Sequence, residues 1–234
     1  MFYMIKKYER LHSLLVELEN EGIHPFIGYG NPDADILIVG KECALKEDSS
    51  DWEKFYEKNF HQWKVSFGER GFSYKTGEED KDYNFEDGYF HPIFPFYPQL
   101  NSIKSSSTYY YYQRLYERIY KIEKSAFFNF FENCFITELN EHCRPNNYKI
   151  DKSLRTETEK NIRERFDWMR RTNFFNKFRI VVLACGPYAK AIKKDEMLKK
   201  ELFGNAHVYF CNQLSQWRKK MDDIIIPDII SHIH

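Results

Sequence analysis

The sequence predicts an α/β fold, with a central four-stranded, mostly parallel sheet and helices on both of its faces. Three observations carry the prediction. Four short, continuous apolar runs bounded by turn residues, Asp35–Gly40, Cys134–Leu139, Ile180–Cys185 and Ala206–Cys211, have the pattern of strands buried on both sides. Helical periodicity occupies the stretches between them, and strands alternating with helices indicate parallel pairing through crossovers. A chain of 234 residues buries roughly 70% of its unfolded surface, enough for a core without disulfide or metal staples.

The elements follow in order. Ile5, Tyr8, Leu11, Leu15 and Leu18 predict a helix over 3–20, ended by Gly22 and kept from resuming by Pro25. After the first strand, residues 51–105 are loop-rich, with Gly68, Gly71, Gly77 and Gly88 followed by Pro92, Pro95 and Pro98, and no strand is expected there. Tyr112, Leu115, Ile119, Ile122 and Ala126 share one face of a helix over 108–131, which leads into the second strand. Residues 153–176 form another helix, with Ile162, Phe166 and Met169 on one side and Arg163, Arg165, Arg170 and Arg171 spread around it. Gly186 turns the chain from the third strand into a helix from Tyr188 to Lys200, and a last helix starts near Gln216 after the fourth strand. With no internal repeat and no long linker, residues 1–234 read as a single domain carrying a large aromatic-rich insertion at about 51–131.

Composition narrows the function classes. The 35 basic and 35 acidic residues cancel, so a dedicated non-specific nucleic-acid binder is disfavoured and any such contact must use a local patch. Five cysteines at irregular spacing read as free thiols in a reducing cytoplasm rather than as a disulfide framework. No signal layout opens the sequence and no apolar run nears the length of a membrane span. The eight histidines show no metal-ligand spacing, with His232 and His234 a weak pair in a tail, so neither metal nor cofactor is expected. Aromatic residues reach 18%, a share that core filling alone can absorb.

The most specific segment is Gly28-Tyr29-Gly30-Asn31-Pro32-Asp33-Ala34-Asp35 feeding Ile36 to Gly40. Three weaker segments follow: Ile136 to Glu141 leading into His142-Cys143-Arg144-Pro145, Ile180 to Ile192, and Gln213-Leu214-Ser215. In order and spacing, apart from the insertion, these resemble the uracil-DNA glycosylase superfamily, with roughly a hundred residues taking part. The resemblance implies a three-layer α/β/α arrangement and hydrolysis of the N-glycosidic bond of a base flipped out of DNA. It also places Gly40, Asn140 and Gln213 around one pocket at the strand ends, where such sheets bind ligands.

The resemblance assigns roles residue by residue. In Gly40-Lys41-Glu42-Cys43, Glu42 stands where the family holds an aspartate that positions water, and a carboxylate suits that task and the stabilisation of a sugar cation. The competing reading is that Glu42 caps a helix or pairs with Lys41. Alignment from Ile136 puts Glu138 at the base-reading place, and alignment from Cys143-Arg144-Pro145 puts Asn140 there. Asn offers a donor and an acceptor, whereas ionised Glu only accepts. Gln213 and Leu214 replace the His and Pro of the family's His-Pro-Ser loop, with Ser215 retained, which argues against ordinary uracil excision. Phe94 or Phe96 is the candidate platform for stacking the flipped base. Gln216, Trp217, Arg218, Lys219 and Lys220 are candidate DNA contacts, the three cations toward phosphates and Trp217 as a wedge or else a core residue. His207 reads as structural. The cysteine pattern that holds an iron–sulfur cluster in some members is absent, since nothing precedes Cys43 and only Cys143 is at a ligand-like position.

The expected function is therefore a DNA glycosylase-like enzyme acting on a modified or damaged base, in repair or anti-phage defence, as a cytoplasmic monomer without cofactor. The alternatives are a non-catalytic DNA- or nucleotide-binding module on the same fold, and a glycosylase-fold enzyme acting on a free nucleoside or small ligand.

Overall fold

Leu11, Leu14, Leu15 and Leu18 form the buried stripe of the first helix, α1 (Glu9–Glu21). The computed structural model of the chain describes residues 8–42, 44–45, 58–64, 107–124, 129–142, 144–145, 152–214 and 219–233. Gly22, at φ 66°, closes α1 by donating its N–H to Glu19, as the sequence predicts. Tyr8, at φ 67°, precedes the helix and is tied by its N–H to Asp33 Oδ2 at 2.7 Å.

The strands are β1 (Tyr29–Gly30), β2 (Ile36–Gly40), β3 (Ala44–Leu45), β4 (Cys134–Glu138), β5 (Arg144–Pro145), β6 (Ile180–Leu183) and β7 (His207–Phe210). The main sheet has five strands in the order β1-β4-β2-β6-β7. The pairs β4–β2, β2–β6 and β6–β7 are parallel, as expected for four alternating strands, whereas β1 pairs antiparallel with β4. The sheet is therefore mixed and one strand wider than the four-stranded prediction. The extra strand is only two residues long, too short for any periodicity to announce it. β3 and β5 form a separate parallel pair just past the ends of β2 and β4.

Gly28 makes the β1 edge possible. At φ 139° it passes so close to β4 that a Cβ would lie 2.3 Å from the Ile136 carbonyl oxygen, a space only glycine leaves open. Residues 58–64 form a helix, α2, inside the stretch where the sequence predicts loops. Its Asn59 accepts from the N–H groups of Ile27 and Gly28 and donates to the Gly28 carbonyl, which also accepts from Trp63 Nε1 at 2.8 Å. Asn31 closes the turn before β2 as an Asx turn, accepting from the Asp33 N–H at 2.9 Å while its amide donates to Glu132.

The remaining helices are α3 (Ser107–Tyr120), α4 (Lys152–Thr172), α5 (Lys190–Lys194), α6 (Glu196–Phe203) and α7 (Ile226–Ile233), the last preceded by a π turn at Met221–Ile225. Three helix predictions are corrected. The helix expected over 108–131 stops at Tyr120 because Lys121 turns left-handed at φ 53°, and Asn173 at φ 50° likewise ends α4 before a separate 3-10 turn at Phe175–Lys177. The helix expected from Tyr188 to Lys200 is a 3-10 turn (Gly186–Ala189) and two helices, split where Asp195 caps α6 by accepting from the Leu198 N–H at 3.0 Å. His232, expected in a tail, lies in α7, and the wide π turn comes just before Pro227, which has no N–H to give back to the helix.

Alternation along the strands fills two apolar clusters, one on each face of the sheet. Leu37, Val39, Phe135, Val181 and Leu183 join residues of α1, α2, α4 and α6. Ile36, Ile38, Cys134, Ile136, Ile180 and Val182 join residues of α3 and α7. No helix among the described residues is long and apolar enough to cross a membrane.

Candidate functional site

Because β2 and β4 are parallel neighbours, their C-terminal ends emerge together. Gly40 stands opposite Glu138, the Leu139 N–H donates to the Gly40 carbonyl at 3.1 Å, and the Asn140 N–H donates to the Lys41 carbonyl at 3.0 Å. This pairing brings five of the predicted residues into one group. The Glu138 carboxylate lies over Gly40, where a Cβ would meet Glu138 Oε2 at 2.0 Å. Asn140 is fully buried and donates from Nδ2 to Glu42 Oε2 at 3.4 Å, while its Oδ1 accepts from the His142 N–H at 3.2 Å. Glu42 keeps only 8% of its side chain exposed, and its other oxygen accepts from Lys41 Nζ at 2.7 Å. The Lys41 ammonium also sits 4.7 Å from the centre of the Tyr188 ring. Glu42 thus has the Lys41 partner that the competing reading expects and, on its other oxygen, a buried amide. Asn140 is the strand-end residue that touches it, and Glu138 is held one step further back.

Arg165, which the sequence shows only as one of several arginines around α4, holds this strand end from beneath. It is buried at 2% exposure. Its Nη2 donates to Thr137 Oγ1 at 2.8 Å and its Nε to the Glu138 carbonyl at 3.2 Å, and Nη1 reaches Glu141 Oε2 at 3.4 Å. The guanidinium lies 4.1 Å from the Trp168 ring centre. Thr137 passes the constraint on by donating to the Ile27 carbonyl at 2.8 Å. A buried aromatic at i+3 and the run Thr137-Glu138 at a strand end are the only sequence signals, and neither separates Arg165 from its neighbours.

The ends of β6 and β7 form a different environment. A cavity of about 360 Å³ opens between the Gly186–Ala189 turn, the loop after β7 and the start of the last helical segment. Gln213 lines this cavity together with Lys190, Lys193 and Lys220. Gln213 is exposed, and the adjoining Leu214 is buried at 2%. The sheet order puts β7 two strands from β2, on the order of 10 Å at the usual strand spacing. The structure therefore groups Gly40, Lys41, Glu42, Glu138 and Asn140, and gathers Gln213 with the lysine-lined cavity. Lys219 is 90% exposed and pairs with Asp223 at 3.8 Å.

Cys43, Phe94, Phe96, Ser215, Gln216, Trp217 and Arg218 lie outside the described residues. Of the aromatic residues in the insertion, Trp63 and Tyr112 are core, and Tyr109 packs against Tyr29 and Phe130. Burial, with the Glu138 carboxylate as second cause, holds the Tyr112 hydroxyl well above the ordinary tyrosine value. Burial pushes the Cys134 and Cys185 thiols up and raises Cys211 to about 12, so these three are protonated at neutral pH and poor nucleophiles. Among the described residues no group of three His, Cys, Asp or Glu side chains is placed to hold a metal ion. No protein-family model matches the chain, and no curated protein matches it.

Proposed function

We propose that the chain is a DNA glycosylase-like enzyme on a three-layer α/β/α scaffold of the uracil-DNA glycosylase type, cleaving the N-glycosidic bond of a modified or damaged base flipped out of DNA. The observation that carries the reading is the carboxylate–amide pair of Glu42 and Asn140 at the joined ends of β2 and β4. Glu42 orients a water toward the sugar C1′ and takes a proton from it as the new C–O bond forms. The C1′–N bond breaks, and the bonding electrons leave with the base. Buried surroundings strengthen the attraction between the carboxylate and the positive charge developing on the sugar. Asn140 offers one donor and one acceptor, the pair needed to read a base edge. Lys41, next to Glu42, supplies a cation for the departing base or a flanking phosphate. Gln213, which the resemblance sets toward the leaving base, lines the separate cavity at the end of β7 and takes no part in this step.

The test is incubation of the protein with single- and double-stranded oligonucleotides carrying a panel of modified bases, followed by alkali to reveal abasic sites. Glu42→Gln should keep DNA binding and lower turnover by a factor on the order of 10²–10⁴ on any substrate that is cleaved. Unchanged cleavage by that variant would move the water-positioning role elsewhere. A second reading, a DNA- or nucleotide-binding module without hydrolysis, is favoured by the Lys41–Glu42 ion pair at 2.7 Å and by Gln213 in place of an imidazole. Binding without abasic sites across the whole panel would select it.

A further inference from the structure

The cavity at the ends of β6 and β7 has a composition of its own. Its floor is apolar, made by Phe210, Leu214, Met221 and Ile225, the last three buried at 5% exposure or less. Lys190 and Lys193 of α5 and Lys220 on the last helical segment stand at its walls, and among the described residues no Asp or Glu lines it. The acids next along the chain have other partners. Asp222 pairs with Arg114 and Arg118, and Asp223 with Lys219. Three exposed cations around one hollow set up a local positive field that favours an anion there and weakens with salt. At about 360 Å³ the cavity is near the lower end of the ~300–1,000 Å³ range of small-molecule sites, which suits one nucleotide rather than two.

We infer that this cavity is a nucleotide-binding site, its apolar floor taking the base face and Lys190, Lys193 and Lys220 taking the phosphate. The ligand class is a nucleoside phosphate, either free or as a unit of a nucleic-acid strand. The site uses residues separate from Glu42 and Asn140, so the inference holds whether or not those residues catalyse hydrolysis.

Titration calorimetry on the whole chain tests it with four probes: a deoxynucleoside 5′-monophosphate, the matching deoxynucleoside, inorganic phosphate, and a short single-stranded oligonucleotide. The monophosphate, the oligonucleotide or both should bind saturably, with affinity falling as salt rises. The nucleoside and phosphate alone should each be weaker by about tenfold or more. Preference for the oligonucleotide over the monophosphate identifies the ligand as strand-borne, and the reverse identifies it as free. Lys190→Ala with Lys193→Ala, and separately Lys220→Ala, should weaken binding by roughly tenfold without changing Tm, since all three side chains are exposed. Wild-type affinity in both lysine variants overturns the assignment. So does equal affinity for nucleoside and nucleotide, or the absence of saturable binding to either nucleotide probe at millimolar concentration.

Discussion

Removing the Arg165 guanidinium tests whether the strand end carrying Glu138 and Asn140 is held from below. Arg165→Met keeps most of the side-chain volume and deletes the charge. Two charge-assisted hydrogen bonds disappear, at 2.8 Å to Thr137 and 3.2 Å to the Glu138 carbonyl. Bonds of that kind contribute about 1.5–3 kcal/mol each. The stacking on Trp168 at 4.1 Å adds about 1 kcal/mol. The Glu141 pair adds about 0–1 kcal/mol, because that carboxylate is 34% exposed and screened by water. Against these stands the relief of no longer desolvating a cation, several kcal/mol in the opposite direction. Thr137 keeps its bond to Ile27, so the group left without this donor is the Glu138 carbonyl. The expected net loss is about 2–4 kcal/mol, read as a shift of the urea midpoint at constant slope. In a chain of this size that lowers Tm by roughly 5–15 °C. Arg165→Lys should recover less than half of the loss, since one ammonium cannot replace a planar fork reaching three acceptors. A loss under about 1 kcal/mol for the Met variant would refute the buried-anchor reasoning and leave Arg165 as a dispensable stacking partner.

Two further perturbations address the same region and its surroundings. Gly40→Ala places a Cβ 2.0 Å from Glu138 Oε2, so the buried carboxylate must move; a stability loss of about 1–3 kcal/mol is expected, and wild-type stability would show that the Glu138 side chain swings aside freely. Burial raises the carboxyl pKa of Glu132 in the folded chain above its unfolded value, so folding binds that proton more tightly and stability falls as pH rises through the interval between the two values. Glu132→Gln should therefore raise Tm at neutral pH and lose that advantage in acid, and a Tm difference independent of pH would rule the mechanism out.

What was legible in the sequence follows from the physics of each element. Ile36 to Val39 and Ile180 to Leu183 are apolar at every position because both faces of those strands are covered, and an uninterrupted run is the strongest signal a parallel strand gives. From those runs alone the strand ends follow, and with them the neighbourhood of Gly40, Lys41 and Glu42. What stayed hidden depends on contacts distant in sequence. Arg165 looks like Arg163 or Arg170 until α4 is docked and its guanidinium meets Thr137, 28 residues earlier in the chain. Asn59 and Trp63 sit in a segment whose composition reads as loop, yet both hold the turn at Gly28, more than 30 residues away. The interruption at Asp195 is a cap inside a helix-favouring run, where a single side-chain bond to Leu198 decides the outcome.

The C-terminal edge of the sheet is charged differently at its two ends, which bears on how a neutral chain could attract an anionic ligand. Glu42 sets a carboxylate at the end of β2, with Lys41 as its counter-charge at 2.7 Å. Lys190, Lys193 and Lys220 concentrate positive charge at β6 and β7, on the order of 10 Å away. That separation slightly exceeds the ~8 Å Debye length of physiological salt, so each end is felt locally. On the proposed nucleotide reading, a phosphate would favour the lysine end of this edge. Lys41, stacked on Tyr188 beside the cavity's turn and paired with Glu42, stands between the two environments. Lys41→Met should therefore separate the two: nucleotide affinity at the lysine cavity stays near wild type, while any function of Glu42 changes.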